Sequence, residues 1–365
     1  MTWLFLIFIF GGLSFLAFTK RLSVKQLKII TFLALILFAF LYKPSPEADI
    51  YRYKEALLYM QEWGPDAAYS ELWYIYENSQ AFFGIMVLLS YLPSSLFFPV
   101  TLLCTYGIAL AIFFDIVGSL NLSKYQFAMA FSFFLCCVNF GIVFSIVRFY
   151  MAYLIGLSGI YMWFRKNAGI GRRLLSAAMI LGAIFIHTAG FLITLIWLLT
   201  LLYHIKPIRI LAVFIPFSML FADRIVSWTG GIFGGSSLYN VIVEKFFDYS
   251  ADNYESMLSR SRIFYYQLLA FIVIVFLAIK LMKCEDNRYV SFNAIYTLFL
   301  LFTIAFIPNV TLFVRTLQIL LVLTPMYLAV NKGLWTKSPI LQLGMVGECG
   351  LMLLFYGRLS TYYYL

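Results

Sequence analysis

The chain has 365 residues, 63% of them hydrophobic and 12% charged, and a net charge of +10. A mean hydropathy of +0.92 excludes an ordinary soluble domain, and apolar runs recur over the whole length, as in a polytopic helical membrane protein. The cations are scattered between the runs, which argues against a nucleic-acid surface and fits the excess of Lys and Arg in cytoplasmic loops.

Inside a bilayer every backbone polar group is satisfied internally, and these runs are far too long for barrel strands, so the spans are helices. The first run ends before Lys20 and Arg21 and reads as a retained span with its basic end inside, not as a cleaved leader. A second span is expected over 26–42. The polar stretch PSPEADIYRYKEAL follows at 44–57, with Glu47, Asp49 and Glu55 set among Tyr51, Arg52, Tyr53 and Lys54. The apolar piece 72–92 is interrupted by Glu77, Asn78 and Gln80 and closed by Pro93. Counting it as a span would send Arg165, Lys166, Arg172 and Arg173 outside. It is therefore predicted as an interfacial or re-entrant helix at the outer leaflet, with Trp73, Tyr74 and Tyr76 at headgroup level. Residues 43–94 then form one extracytoplasmic segment.

Three later runs are too long for single helices. The uncharged run 174–203 would measure about 45 Å as one helix, against a hydrocarbon core of about 30 Å. Arg172 and Arg173 precede it and Lys206 and Arg209 follow it, so it is predicted as a hairpin with its tip at His187-Thr188-Ala189-Gly190. Residues 125–164 carry only Arg148, between Lys124 and Arg165. Residues 289–331 carry only Arg315, between Arg288 and Lys332, with a break at Pro308-Asn309. Three hairpins thus deliver Arg148, His187 and Arg315 to one membrane face.

The full pattern is an all-α, polytopic membrane protein of about twelve spans. They lie near 3–19, 26–42, 95–118, 125–145, 148–164, 172–187, 189–205, 208–222, 262–281, 289–307, 314–331 and 338–356. Both termini are expected outside. A second extracytoplasmic segment is expected at 223–261, glycine-rich and then aromatic and charged. No internal repeat divides the chain, so 1–365 reads as a single transmembrane domain. Cys104, Cys136, Cys137 and Cys349 fall in predicted spans and Cys284 in a basic loop, a placement that gives neither a disulfide framework nor a zinc site.

The polar inventory of the outer face is Asp49, Arg52, Arg148, His187 and Arg315. Guanidinium groups match phosphate oxygens bidentately, so two arginines from separate hairpins suit a phosphate-bearing ligand; each alone also reads as a snorkelling anchor. His187 reads as a general base, as a donor to phosphate, or as a structural residue of a tip. Asp49 and Arg52 read as site residues or as a local i,i+3 pair. Tyr51 and Tyr53 resemble sugar-stacking platforms, or members of an interface belt. Glu348 lies mid-span, where an acid is costly and reads as a functional candidate, or else, beside Gly344, Gly347 and Gly350, as a buried, hydrogen-bonded, neutral acid at a close helix contact. Phosphate-loop, dinucleotide, metalloprotease and Cys-x-x-Cys motifs do not occur.

Five short motifs occur in order over roughly 45–330. Asp49-Ile50-Tyr51-Arg52-Tyr53 follows the second span, and Glu71-Leu72-Trp73-Tyr74 follows that. Arg148-Phe149-Tyr150-Met151-Ala152 enters a span, His187 stands in the Ile-His-x-x-Gly-Phe-Leu stretch of 186–192, and Arg315 follows a proline-containing turn. In these the chain resembles the EpsG-like branch of the Wzy polysaccharide polymerases, with Phe149 where that family commonly has Gln after the arginine. The resemblance implies a GT-C-like membrane glycosyltransferase without cofactor, working at the outer face of the bacterial cytoplasmic membrane. Undecaprenyl-diphosphate-linked oligosaccharides would be donor and acceptor, a chain-length regulator a further partner, and the product O-antigen of lipopolysaccharide, capsule or exopolysaccharide. On that reading Arg148, Arg315 and Arg52 bind diphosphate, His187 or Asp49 activates the acceptor hydroxyl, and Tyr51 and Tyr53 touch glycan. The alternatives are another lipid-dependent glycosyltransferase, an O-antigen ligase, or a flippase for lipid-linked oligosaccharides. An arginine pair neutralises a diphosphate without a cation, and the outer segments offer no compact carboxylate cluster for magnesium. Polymer formation is therefore expected to persist in EDTA; loss on chelation with recovery on added magnesium would contradict this.

Overall fold

The computed structural model describes residues 2–19, 22–42, 49–76, 79–138, 143, 146–165, 168–203, 214–216, 218, 262–281, 290–332, 336 and 338–362. Glu47, His204, Cys284, the segment 223–261 and most of the span expected at 208–222 lie outside the described residues. Every regular element described is helical. The helices are α1 (Thr2–Phe18), α2 (Val24–Leu41), α3 (Asp49–Trp63), α4 (Pro65–Tyr76), α5 (Gln80–Ser90), α6 (Phe97–Leu102), α7 (Ile108–Ser119) and α8 (Lys124–Cys137). They continue as α9 (Val147–Trp163), α10 (Ile170–Ile186), α11 (Gly190–Leu202), α12 (Arg262–Leu281), α13 (Val290–Ala305), α14 (Val310–Val330) and α15 (Pro339–Tyr362). A π-helical turn, Leu103–Gly107, joins α6 to α7. Val24–Leu41, Ser94–Ser119 and Val310–Val330 are long and apolar enough to cross a membrane.

Local chemistry sets several of these ends. Ser23 and Ser123 each open a helix with a capping box, the serine hydroxyl accepting the backbone N–H of Gln26 or Gln126. The glutamine side chain accepts the serine N–H in return, at 2.9 and 2.8 Å. The run 174–203 breaks where the hairpin reading places its tip: α10 ends at Ile186 and α11 starts at Gly190. Residues 306–309 likewise separate α13 from α14.

From Asp49 onward the polar stretch is a helix. In α3 the residues Ile50, Tyr53, Ala56, Leu57 and Met60 are buried, a single face at helical spacing. That face packs on α5. The single loop helix expected over 72–92 is two helices, α4 beginning at Pro65 and α5 at Gln80. Pro65 starts α4 without loss, since the first helical N–H has no intrahelical partner. At 11 residues α5 is about 16 Å long, too short to cross a core of about 30 Å. Gln61 ties its end to α3, donating Nε2 to the carbonyls of Ser90 at 3.2 Å and Leu92 at 2.7 Å.

The chain packs as two compact units, residues 1–195 with 325–365, and residues 196–324. In the first, the most extensive helix pairing is α9 against α10. A Cβ placed on Gly156 would lie 2.5 Å from Ile193 Cγ2, and one on Gly159 would lie 2.8 Å from the Ser176 carbonyl oxygen. At the hairpin tip a Cβ on Gly190 would lie 2.5 Å from the Ala183 backbone. Arg173 of α10 sits over the Trp163 ring at the end of α9, 5.9 Å from its centroid. Near that end, Arg165 pairs with Asp115 of α7 at 3.2 Å, and Tyr161 donates to the same carboxylate at 2.6 Å. Lys332 Nζ donates to the Asn121 carbonyl. In the second unit, Phe271 of α12 meets Phe313 edge-on at 5.2 Å, and the hydroxyls of Tyr296 and Thr324 lie 3.1 Å apart.

The glycines around Glu348 do not make the close contact expected of them. A Cβ on Gly347 or Gly350 meets nothing within 4 Å. Glu348 itself is fully buried, and neither carboxyl oxygen has a hydrogen-bond partner among the described residues. The close packing belongs to α9 and α10 instead. Gly159→Val is expected to destabilise the protein by about 1–3 kcal/mol through overpacking. Gly118→Ala, which enters open space, is expected to be neutral or slightly stabilising. Thermal unfolding in detergent compares the two; equal midpoints would contradict the packing account.

Candidate functional site

Arg148 is the second residue of α9. Ile146, at the N-cap, has no side-chain acceptor to offer the first N–H groups of the helix. The guanidinium Nη1 donates to Ser79 Oγ at 3.3 Å, and Ser79 is the N-cap of α5. Ser79 makes no cap hydrogen bond to its own helix. Arg148 therefore reaches from the start of α9 to the start of α5, and neither N-cap residue caps its helix with its own side chain. Each such end is equivalent to roughly half a positive charge.

α3 supplies the third wall. Tyr53 is 3% exposed, and its ring takes the Arg148 guanidinium on one side, Cζ lying 5.5 Å from the centroid. Phe82 of α5 packs against the same ring at 5.0 Å. Burial pushes the Tyr53 phenol well above the usual tyrosine range, while Arg148, which donates to its hydroxyl, pulls the other way. Tyr53 thus stays protonated at any ordinary pH. The sugar-platform reading of Tyr53 gives way to a different role: the 3.6-residue period of α3 turns it inward, and its ring carries an arginine. Tyr51 is half-buried on the same helix.

Asp49 is the first residue of α3, where a carboxylate is favoured by the helix N-terminus. It acts electrostatically on Tyr53, as does Arg52. Arg52 lies 4.0 Å from Asp49 with 65% of its side chain exposed, so the two form a local surface pair worth about 0–1 kcal/mol.

His187 follows the last residue of α10, and its backbone is extended. Its N–H closes the helix on the Ala183 carbonyl at 3.0 Å. Its ring stands edge-on to Phe149 at 5.8 Å, and Phe149 stacks on Tyr153 at 4.3 Å. The antiparallel pairing of α9 and α10 thus puts Arg148 and His187 at the same end, with Phe149 between them. His187 Nδ1 accepts the Ala189 N–H at 3.0 Å. In the neutral ring the proton therefore sits on Nε2, which makes His187 a donor at its outer nitrogen rather than a base.

The first unit brings together Asp49, Arg52, Tyr53, Arg148 and His187, and adds Ser79 and Phe149, which sequence reasoning did not assign. The sequence predicts one helix running through Ser79, and nothing in the sequence marks its hydroxyl as turned to Arg148. Phe149 was visible only as a departure from a family pattern. Arg315 belongs to the second unit. There α14 starts at Val310, not near 314, because Asn309 Oδ1 accepts the Leu312 N–H at 3.0 Å and caps the helix. Arg315 is half-buried and lies about 7–8 Å along the helix from its first residue. Among the described residues no three His, Cys, Asp or Glu side chains come together as metal ligands.

No family model, curated protein or solved structure matches the chain. The imidazole geometry has a direct check, because the chain holds only two histidines. Nitrogen-15 NMR of histidine-labelled protein, assigned with His204→Asn, is expected to show neutral His187 protonated at Nε2. Protonation at Nδ1 would contradict the hydrogen bond from Ala189.

Proposed function

We propose that the chain is a polysaccharide polymerase that joins undecaprenyl-diphosphate-linked repeat units at the outer face of the bacterial cytoplasmic membrane. One observation carries the reading: Arg148, at the start of α9, reaches the start of α5, and the N-cap residue of neither helix caps it with its own side chain. Backbone N–H groups, two helix dipoles and a guanidinium all favour the same ligand there, an anion with several oxygens. A diphosphate held by lipid at one end and sugar at the other fits a site built between apolar helices and a polar amphipathic one. The resemblance over Asp49–Tyr53, Arg148–Ala152 and Ile186–Leu192 points to the same chemistry.

In this reading the twelve-span topology stands, and α3, α4 and α5 form the extracytoplasmic cover. The acceptor sugar hydroxyl attacks the anomeric carbon of the growing glycan. The bond from that carbon to the diphosphate oxygen breaks, and undecaprenyl diphosphate leaves with the bonding pair. Arg148 offsets the charge that builds on the leaving oxygen. His187, a donor at Nε2, hydrogen-bonds a diphosphate oxygen. Asp49, beside Tyr53 at the mouth of α3, takes the proton of the attacking hydroxyl. The resemblance assigns Arg315, in the second unit, to diphosphate as well. Tyr51 and the outward face of α3 meet the glycan.

The assay is purified protein in lipid nanodiscs with lipid-linked repeat units, read as a ladder on a gel. Wild type is expected to give a ladder. Arg148→Ala is expected to lower the rate about 100- to 1000-fold, at normal protein level. A single transfer to a non-lipid acceptor would indicate a ligase. A full ladder from Arg148→Ala would overturn the role of Arg148.

A further inference from the structure

We infer that Ser79 is a positioning residue, an uncharged acceptor that aims the Arg148 guanidinium at its anion without neutralising it; this deepens and rests on the proposed role of Arg148. Ser79 stands at the N-cap of α5, where a serine ordinarily turns its hydroxyl to the N–H two or three residues on. Here it does not. Its backbone lies at φ −146° and ψ 45°, and the hydroxyl instead accepts from Arg148 Nη1, 69 residues away in sequence. The residue is 4% exposed, so the oxygen is held in place by the packing around it.

The choice of residue type has a physical consequence. An aspartate at this position would be as good a helix cap and a stronger partner for arginine. It would also place a full negative charge within hydrogen-bonding distance of the Arg148 guanidinium. A diphosphate would then meet a neutral pair in place of a guanidinium. Serine fixes one N–H of the fork and leaves the charge of the group intact. Tyr53 acts in the same sense from α3, since burial keeps its phenol protonated and Arg148 rests against a neutral ring. Two of the side chains that hold the arginine, Ser79 and Tyr53, thus carry no charge.

A pair of near-isosteric variants separates positioning from mere capping. Asn and Asp cap helices equally well and differ only in charge. If Ser79 only starts α5, both Ser79→Asn and Ser79→Asp should behave as wild type. If it aims Arg148, Ser79→Asp should raise the apparent KM for the lipid-linked substrate at least about tenfold, with unfolding temperature unchanged or higher. Ser79→Asn and Ser79→Thr should fall within about threefold of wild type, and Ser79→Ala between the two.

A second readout does not depend on turnover. Phenylglyoxal modifies arginine, and the rate at Arg148 is read by peptide mass spectrometry with and without inorganic pyrophosphate. Pyrophosphate is expected to protect Arg148 in wild type and in Ser79→Thr, and not in Ser79→Asp. Should Ser79→Asp fail to fold, Ser79→Ala decides, with protection expected to weaken about tenfold. Protection of Arg148 by pyrophosphate in Ser79→Asp equal to wild type, or none in wild type, would overturn the inference. If wild type makes no polymer yet shows this Ser79-dependent protection, the polymerase reading falls and the role of Ser79 stands. If wild type polymerises and Ser79→Asp does so equally well, the role of Ser79 falls and the polymerase reading stands.

Discussion

The close approach of α9 and α10 is the constraint from which the site follows. In lipid, burial of apolar surface no longer drives helices together, and tight van der Waals contact takes over that part. Gly159 supplies it, because a side chain there would overlap Ser176 or Ile180 of α10, and Gly156 lets Ile193 of α11 approach as closely. Two antiparallel helices held that closely bring the start of one beside the end of the other. Arg148 and His187 occupy those two ends, and Phe149 fills the space between them. The position of each polar group is thus set by apolar packing some three turns away. Gly190 extends the arrangement, since the tight return after His187 needs a residue without a side chain beside Ala183.

The electrostatic character of the site comes from what its helices lack. An N-terminus is normally quieted by a Ser, Asp or Asn side chain that takes up its free N–H groups. α9 begins after an isoleucine, and α5 begins after a serine whose hydroxyl points elsewhere. Neither N-cap side chain offsets its helix end, the Arg148 guanidinium reaches from one start to the other, and the carboxyl end of α10 beside α9 offsets part of that potential. Such an arrangement costs stability while it is empty and favours an anion when it is filled. The buried, protonated Tyr53 beneath Arg148 contributes contact without countercharge. The same logic assigns the two candidate bases. His187 has its Nδ1 engaged by the Ala189 N–H and presents a donor at Nε2, and on the proposed reading Asp49 is then the acceptor for a hydroxyl proton.

Much of this arrangement was legible in the sequence, because hydrophobic runs and flanking cations are strong signals. The break at 187–189, the start of α9 beside Arg148 and the break before Asn309 all follow from run length against bilayer thickness. Other features follow from hydrogen bonds that composition does not encode. Asn309 caps α14 and so moves the helix start upstream, which sets Arg315 further along the helix than the break alone implied. The polar stretch after α2 reads as an extracytoplasmic segment because of its charges, yet Ile50, Tyr53, Leu57 and Met60 share one helical face and fold it down. That same periodicity turned Tyr53 from an apparent sugar platform into support for an arginine. Gly347 and Gly350 show the converse. Their spacing is that of a close helix contact, but the helix turns them away from any neighbour, and the contact is made by Gly156 and Gly159.

The central claim is that Arg148 and His187 share one pocket open to the outer face of the membrane. Cysteines introduced at the adjoining positions, Phe149→Cys with His187→Cys, test it directly in whole cells carrying a chain without its native cysteines. The account predicts that the pair forms a disulfide under mild oxidation and that a membrane-impermeant phosphine added outside reduces it. Failure to cross-link, or reduction only after the cytosol is opened, would contradict the account.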